Sequence, residues 1–212
     1  MADVTISQLN TVTPLGSHVL PYSDYSSTKK AVISALPVDY TSIVNSPSRA
    51  LIVYDVPSGT NGGVALNNQW RSRPINTIVY NQNNIVKELS TPGTDNIGVR
   101  RWFLDPGNYI MEAEGVYFNH YNFQCNAMHR IINTSQAGSV VASGLSNRCH
   151  DVIGASKALA TKVPPTLVSI NVYSGFELQY WLSETTGNTS DLGFAINSGQ
   201  PERYAYVYIT KV

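Results

Sequence analysis

The sequence predicts an all-β domain, a sandwich or a barrel, behind a short N-terminal appendage. From residue 50 onward, short stretches rich in Val, Ile, Tyr, Phe and Trp alternate with Gly, Asn, Pro and Ser at intervals that suit strands. The 212 residues are enough for one domain with a substantial core, and 42% of them are hydrophobic. We therefore expect the chain to fold.

Residues 1–48 differ from the remainder, because turn-forming residues surround short apolar patches there. One helix-like segment is predicted at 28–36, where Pro37 would end it. A helix of that length is not stable alone in water, so we expect it to pack against another element. The predicted organisation is an appendage at 1–48 and a head domain at 49–212.

Nine candidate strands are predicted in the head domain from the composition of its segments. They are residues 50–56, 73–80, 99–104, 108–118, 123–133, 139–143, 166–173, 176–182 and 203–211. The segments between them contain the Gly and Pro residues that chain reversals require. Nine or ten strands are typical of a sandwich or a barrel.

The last predicted strand is apolar on both faces, because Tyr204, Tyr206 and Tyr208 alternate with aliphatic residues. We expect one face in the core and the other in an interface between copies of the chain. Phe176 and Tyr180, on the preceding predicted strand, are expected to contribute to the same interface. The alternative is that the tyrosines pack beneath a loop of their own subunit.

The charge content argues against nucleic-acid binding. Charged residues make up only 13% of the chain, and 14 basic residues balance 14 acidic ones, so no basic stripe is present for a phosphate backbone. A monomer with so little charge would be poorly soluble, which favours an obligate oligomer. The N-terminus lacks the features of a signal peptide, and no run of 18 apolar residues occurs.

No motif for metal, cofactor or nucleotide chemistry is present, and we expect a non-enzymatic protein. Cys149, His150 and Asp151 resemble a nucleophile set, but adjacent residues of an extended segment point to opposite faces. Glu112 and Glu114 share one face of a predicted strand, as a glycosidase pair could, but a solvated rim near a strand end explains them more easily.

Cys125 and Cys149 are the only cysteines. In a chain without a signal peptide, an even count of two is a weak argument for a disulfide. We interpret both as small buried hydrophobic residues, with a disulfide as the alternative.

A recognition surface is the remaining class of site. The run 117–122 combines aromatic rings, which bury much area at little entropic cost, with amides that match hydroxyl groups. Tyr117, Phe118, His120 and Tyr121 are therefore candidate receptor contacts. The alternative is a strand crossing in which these aromatic residues are buried.

Six segments of the head domain carry a family resemblance when taken together. They are SGTNGG at 58–63, WRSRPIN at 70–76, LDPGNYIMEA at 104–113, FELQ at 176–179, GFAINSG at 193–199 and YAYVYI at 204–209. Residues 50–212 resemble the tumour-necrosis-factor-like, or complement-globular-head-like, jelly-roll that ends many phage tail fibres and virion spikes. Residues 1–48, with the ISQL opening and the LPYS turn, resemble the segments that attach such fibres in phages of cyanobacteria and other aquatic bacteria.

The resemblance implies a homotrimer of ten-stranded jelly-rolls whose inner sheets face a three-fold axis. Residues 1–48 would attach to other tail or capsid proteins, and the head would bind a host surface polysaccharide or outer-membrane protein. Such a virion protein is made in the host cytoplasm, which would explain the missing signal peptide and unpaired cysteines. Residues 140–165 depart from the family pattern. Variable loops of such heads recognise the host cell, so Asn147 and Arg148 are added to the candidate receptor contacts.

The leading expectation is therefore a tail-fibre or spike subunit that binds a host receptor without catalysis, and without a metal or cofactor. One alternative is a capsid or tail decoration protein with no receptor role. The other is a glycan-degrading virion enzyme, which would place two carboxylates across a cleft.

Overall fold

A computed structural model describes residues 19–24, 27–32, 47–91, 100–119, 125–149 and 157–212. The chain divides into two units, Met1–Ser46 and Pro47–Val212. None of the described residues belongs to a helix that is long and apolar enough to cross a membrane.

In the first unit, the described residues form an antiparallel hairpin of β1 (Val19–Asp24) and β2 (Ser27–Val32). The helix predicted at 28–36 is therefore wrong over residues 28–32, and its remaining residues lie outside the described ranges. The β-branched Thr28 and Val32 suit a strand, and pairing with β1 provides backbone hydrogen bonds that an isolated short helix would hold only weakly.

The second unit is built from strands, with one 3₁₀ turn at Gln82–Asn84 among its described residues. The strands are β3 (Arg49–Val56), β4 (Arg71–Ser72), β5 (Thr77–Asn81), β6 (Val86–Ser90), β7 (Arg101–Leu104), β8 (Gly107–Asn119), β9 (Cys125–Asn133), β10 (Ser139–Ser143), β11 (Asn147–Cys149), β12 (Lys157–Ile170), β13 (Ser174–Leu182) and β14 (Glu202–Lys211). Each predicted strand has a counterpart. The strand predicted at 73–80 begins only at Thr77; residues 73–76 lie outside any strand and include Pro74, which has no N–H to donate to a ladder.

These strands form two antiparallel sheets. The five-stranded sheet has the order β12-β8-β14-β3-β5. The seven-stranded sheet has the order β10-β9-β13-β7-β6, with β11 also paired to β9 and β4 to β13. The pairs β3–β14, β7–β13 and β8–β12 are nested along the chain, which is the connectivity of a jelly-roll. The predicted all-β jelly-roll sandwich is confirmed, with short strands in addition to the ten expected.

The core lies between the sheets and follows from the alternation of residues along each strand. On β14, Ala205, Val207 and Ile209 are buried in the main apolar cluster, whereas the intervening residues face outward. On β13, Phe176 and Leu178 belong to the same cluster, and the ring of Phe176 stacks on that of Trp102 at 6.2 Å between centroids. A single cluster drawn from both sheets shows that their inner faces pack on each other.

A β-bulge interrupts β14 at Tyr204. Arg203 pairs with Asp55 and Ala205 pairs with Tyr54, so one residue of β14 has no counterpart on β3. The carbonyl of this extra residue is turned into the interior, where it requires a hydrogen-bond donor.

The donor is Arg73, whose side chain is fully buried. Its Nη2 lies 2.8 Å from the carbonyl oxygen of Tyr204, 2.8 Å from that of Val116 and 2.7 Å from that of Leu192. One guanidinium thereby joins β8, β14 and the segment between β13 and β14. Its Nε and Nη1 have no hydrogen-bond partner among the described residues, and the group lies 5.2 Å from the ring centroid of Tyr117.

His129 completes this buried polar cluster. Its Nε2 lies 2.8 Å from the hydroxyl of Tyr117 and its Nδ1 lies 2.5 Å from Oγ1 of Thr161. Burial, reinforced by the charge of Arg73, holds the pKa of His129 well below its usual range, so the ring is neutral. Gly115 provides the space, because a Cβ at that position would lie 2.5 Å from Cε1 of His129.

The Arg73→Met variant is expected to lose about 3 kcal/mol of unfolding free energy, because three interior carbonyl groups lose their donor. Arg203→Met is the matched control; it removes an exposed ion pair with Asp55 and should cost at most about 1 kcal/mol. Urea unfolding measures both changes. If Arg73→Met were as stable as the wild type, the cost of desolvating the guanidinium would equal the stabilisation that its hydrogen bonds provide.

The Gly115→Ala variant is expected to lose about 1–3 kcal/mol of unfolding free energy, because the added methyl group collides with the His129 ring. The double variant Gly115→Ala/His129→Ala should cost less than the sum of the two single variants, since the collision is then absent. Thermal unfolding of the three proteins tests this cycle, and strictly additive costs would contradict it.

Candidate functional site

A groove of about 530 Å³ lies on the outer face of the five-stranded sheet. Because Ala205 and Val207 face the core, Tyr206 and Tyr208 face outward, and the same alternation turns side chains of β3 and β8 to this face. We call this surface the tyrosine groove; it comprises Leu51, Val53, Glu112, Glu114, Tyr206 and Tyr208.

The polar groups of the tyrosine groove have partners within the subunit. The hydroxyl of Tyr206 donates a 3.0 Å hydrogen bond to Oε2 of Glu114, which it directly opposes in the ladder. Glu112 forms a 3.3 Å ion pair with Lys162, and the ring of Tyr208 packs edge-on against Tyr80 at 6.4 Å. A surface of this kind can be covered by a protein without leaving unpaired polar groups.

The electrostatics of the groove favour a protonated Tyr206. Burial, then the hydrogen bond to Glu114 and the charges of Glu114 and Glu112, raise the pKa of Tyr206 to about 12. Each of these effects disfavours the phenolate. The phenol therefore remains a hydrogen-bond donor to the Glu114 carboxylate at neutral pH.

Of the residues predicted for an interface between copies, Tyr206 and Tyr208 lie in the tyrosine groove. Tyr204 borders it but is only 4% exposed, and its hydroxyl donates to the carbonyl of Thr60 at 2.8 Å. The expected ladder of three tyrosines is broken because the bulge at Tyr204 interrupts the alternation of β14.

The placement of Phe176 and Tyr180 in such an interface is wrong. Both are buried between the sheets of their own subunit, because even-numbered residues of β13 face the core. Phe176 stacks on Trp102, and the hydroxyl of Tyr180 accepts a 3.1 Å hydrogen bond from the Leu66 N–H.

The candidate receptor contacts at 117–121 are only partly supported by their positions. Tyr117 is a core residue, 3% exposed, and burial raises the pKa of its hydroxyl, so its ring is not available to a receptor. Phe118 is half-buried and stacks on the exposed ring of Phe194 at 4.7 Å. His120 and Tyr121 lie outside the described residues.

The candidate contacts Asn147 and Arg148 are exposed on β11. The side-chain amide of Asn147 donates to the carbonyl of Ala160 at 3.2 Å. Arg148 is paired with Asn126 of β9. Because Ala127 and His129 are buried in the interior, Asn126 and therefore Arg148 belong to the outer face of the seven-stranded sheet.

The same outer face carries aromatic and polar residues that the sequence did not identify as a site. The guanidinium of Arg130 lies 4.0 Å from the ring centroid of Trp70, and its Nε donates to Oε1 of Gln179 at 2.9 Å. Trp181 lies two residues beyond Gln179 on β13 and is half-buried. We call Trp70, Arg130, Arg148, Gln179 and Trp181 the aromatic–arginine surface.

This surface combines flat rings with cationic and amide donors. Flat rings pack against sugar rings, and guanidinium groups bind carboxylates and phosphates. Alternation within 176–182 could have placed Gln179 and Trp181 opposite the core, but Trp70 lies outside any strand and has no periodic signal. Its proximity to Arg130 arises from the pairing of β4 with β13 and of β13 with β9.

The carboxylates suggested for glycan cleavage do not lie on separate elements. Glu112 and Glu114 both belong to β8 and are bound to Lys162 and Tyr206, respectively. His150 and Asp151 lie outside the described residues, so the suggested nucleophile set of Cys149, His150 and Asp151 stays untested. Among the described residues, no group of three or more His, Cys, Asp or Glu side chains could hold a metal ion.

The Tyr206→Phe variant should lose part of the pH dependence of folding. Between pH 10.0, the ordinary pKa, and about 12, the unfolded chain ionises this phenol while the folded chain keeps its proton. The free energy of unfolding therefore falls as the pH rises through this range. Urea unfolding from pH 9 to 12 should show a shallower fall in Tyr206→Phe than in the wild type, with Glu114→Gln in between. If the free energy of unfolding fell equally steeply with pH in Tyr206→Phe and in the wild type, the raised pKa of Tyr206 would be contradicted.

The similarity of this chain to known proteins lies among solved structures. No protein-family model matches the chain, and no curated protein matches it. Among the 109 matching chains of solved structures is the crystal structure of murine APRIL at pH 8.5. That match has 8% identity and a TM-score of 0.43, and it covers 78% of this chain and 99% of the other.

Proposed function

We propose that this chain is the subunit of a homotrimeric phage tail fibre or virion spike that binds a surface polysaccharide of the host cell. The observation that carries the proposal is the difference between the two outer faces of the sandwich. The tyrosine groove is apolar with internally paired polar groups, whereas the other face carries the aromatic–arginine surface.

The tyrosine groove suits contact between copies of the chain. Leu51 and the rings of Tyr206 and Tyr208 offer apolar area, whereas Val53 is only 2% exposed, and the carboxylates of the groove already have partners. Tyrosine-rich apolar surfaces depleted in unpaired charge are typical of stable subunit contacts. The segments of residues 50–212 that resemble phage fibre heads support three copies rather than two.

The aromatic–arginine surface suits the receptor. In a trimer assembled through the five-stranded sheets, the outer faces of the seven-stranded sheets point away from the axis. Arg130 and Arg148, together with two tryptophans, would bind an acidic polysaccharide through stacking and charge-assisted hydrogen bonds. Three weak sites on one particle bind a repeating polymer by avidity. Residues 1–48 would attach the trimer to the particle.

A capsid or tail decoration protein is the second candidate function. It is favoured by the tyrosine groove alone, since that surface serves assembly without a receptor. The two candidates differ in what the aromatic–arginine surface does.

The Tyr206→Asp variant is expected to convert the trimer into monomer or aggregate, because a carboxylate would be buried beside Glu114 and Glu112. Light scattering coupled to size-exclusion chromatography should give about three times 23.2 kDa for the wild type. Val140→Asp, at an exposed apolar residue of the other sheet, is the matched control and should remain a trimer. A wild-type monomer, or an intact Tyr206→Asp trimer, would refute the groove as the subunit contact.

The Trp181→Ala and Arg130→Ala variants are expected to weaken polysaccharide binding about tenfold or more without dissociating the trimer. The assay is binding of fluorescent protein to arrayed acidic and neutral bacterial polysaccharides. Tyr173→Ala removes an exposed aromatic ring that stacks on Phe103 elsewhere, and it should bind as the wild type does. Absence of binding to every polysaccharide, with the trimer intact, would favour the decoration protein.

A further inference from the structure

We propose that Cys125 and Cys149 form a reversible disulfide that ties β11 to β9. Cys125 is the first residue of β9, and Cys149 is the last residue of β11. The strands are antiparallel, and their register pairs Asn147 with Ala127 and Cys149 with Cys125. The only two cysteines of the chain therefore oppose each other directly, although they are 24 positions apart in the sequence.

The register meets the geometric requirement of a disulfide. Directly opposed residues of an antiparallel pair have Cα atoms about 4.5 or 5.5 Å apart, depending on the hydrogen-bonding position. Disulfides join Cα atoms about 4.4–6.8 Å apart, so both kinds of position allow the bond. Opposed residues also lie on the same face of the sheet. The backbone pairing of Cys125 with Cys149 thus needs no rearrangement of the strands.

The surroundings of Cys125 affect the rate of bond formation and the lifetime of the bond. Cys125 is 6% exposed, within an apolar cluster with Ala127 and Leu182, and its Sγ lies 3.4 Å from the carbonyl oxygen of Glu184. Burial limits the access of external oxidants to the Cys125 sulfur, so oxidation is slow. The same burial shields the completed bond from attack by external thiols.

The chemistry is thiol–disulfide exchange with a low-molecular-weight disulfide as the oxidant. The thiolate of one cysteine attacks oxidised glutathione, forming a mixed disulfide and releasing one glutathione thiol. The thiolate of the second cysteine then attacks the protein sulfur of the mixed disulfide, forming the Sγ–Sγ bond and releasing the second glutathione. The two protein thiols lose two protons and two electrons, which reduce the oxidant to two thiols.

The bond would stabilise a short element of the aromatic–arginine surface. β11 has three residues, and its central residue, Arg148, is held beside Asn126 by the ladder that ends at the two cysteines. A covalent link at that end keeps Arg148 in register with β9 in an oxidising environment, while a reducing environment removes that link. The disulfide itself does not depend on the proposed function.

The test uses the full chain equilibrated with reduced and oxidised glutathione at a series of ratios. Samples are quenched in acid, alkylated after denaturation, and measured by intact mass spectrometry. The oxidised wild type is expected to lose about 2 Da and to take up no alkyl group. Trypsin cleaves between the cysteines, after Arg130 and Arg148, so a linked pair of peptides should identify the bond. The Cys149→Ser and Cys125→Ala variants should show neither change.

Several outcomes would overturn the proposal. These are full alkylation of both cysteines after equilibration, a stable glutathione adduct without the internal bond, and a disulfide between subunits. Thermal unfolding provides a second readout. The midpoint temperature of the oxidised wild type should exceed that of the reduced protein by about 5 °C. A lower midpoint would show that the bond requires a distorted register.

Discussion

The buried guanidinium of Arg73 is the interaction on which the rest of the sandwich depends. β14 carries an extra residue at Tyr204, and the carbonyl freed by this bulge points into the interior. The two N–H groups of Arg73 Nη2 are shared among that carbonyl and those of Val116 and Leu192. Carbonyl dipoles and the ring of Tyr117 surround the cation, and its charge helps to keep His129 neutral. The cluster links β8 and β14, which also pair directly in the ladder, to the segment that precedes β14.

The cluster also determines which residues of β14 reach the outer face. Beyond the bulge, Ala205, Val207 and Ile209 enter the core, and Tyr206 and Tyr208 are turned outward. The bulge separates Tyr204 from that row and buries it against the Thr60 carbonyl. The tyrosine groove therefore depends on the sequence of β14 and on the bulge at Tyr204, whose carbonyl accepts a hydrogen bond from Arg73 in the interior.

The two outer faces of the sandwich differ in how their polar groups are satisfied. In the tyrosine groove, the carboxylates of Glu112 and Glu114 are bound by Lys162 and Tyr206, so apolar contact area remains available. On the opposite sheet, the Arg130 guanidinium stacks on Trp70, and its Nε is the nitrogen with a hydrogen-bond partner among the described residues. One jelly-roll thus presents an apolar face with internally paired carboxylates and an opposite face with aromatic rings and guanidinium groups, with the core between them.

The sequence by itself determined the all-β class and the approximate positions of most strands, because alternation and turn residues are local properties. It also identified the last strand as apolar on both faces. Alternation cannot say which of two apolar faces is buried in the subunit, so Phe176 and Tyr180 were assigned outward although they are core residues. Only the tertiary structure decided the bulge at Tyr204, the role of Arg73 and the alignment of Cys125 with Cys149. These features depend on strand register between distant segments, which is set by packing across the whole sandwich rather than by any local pattern.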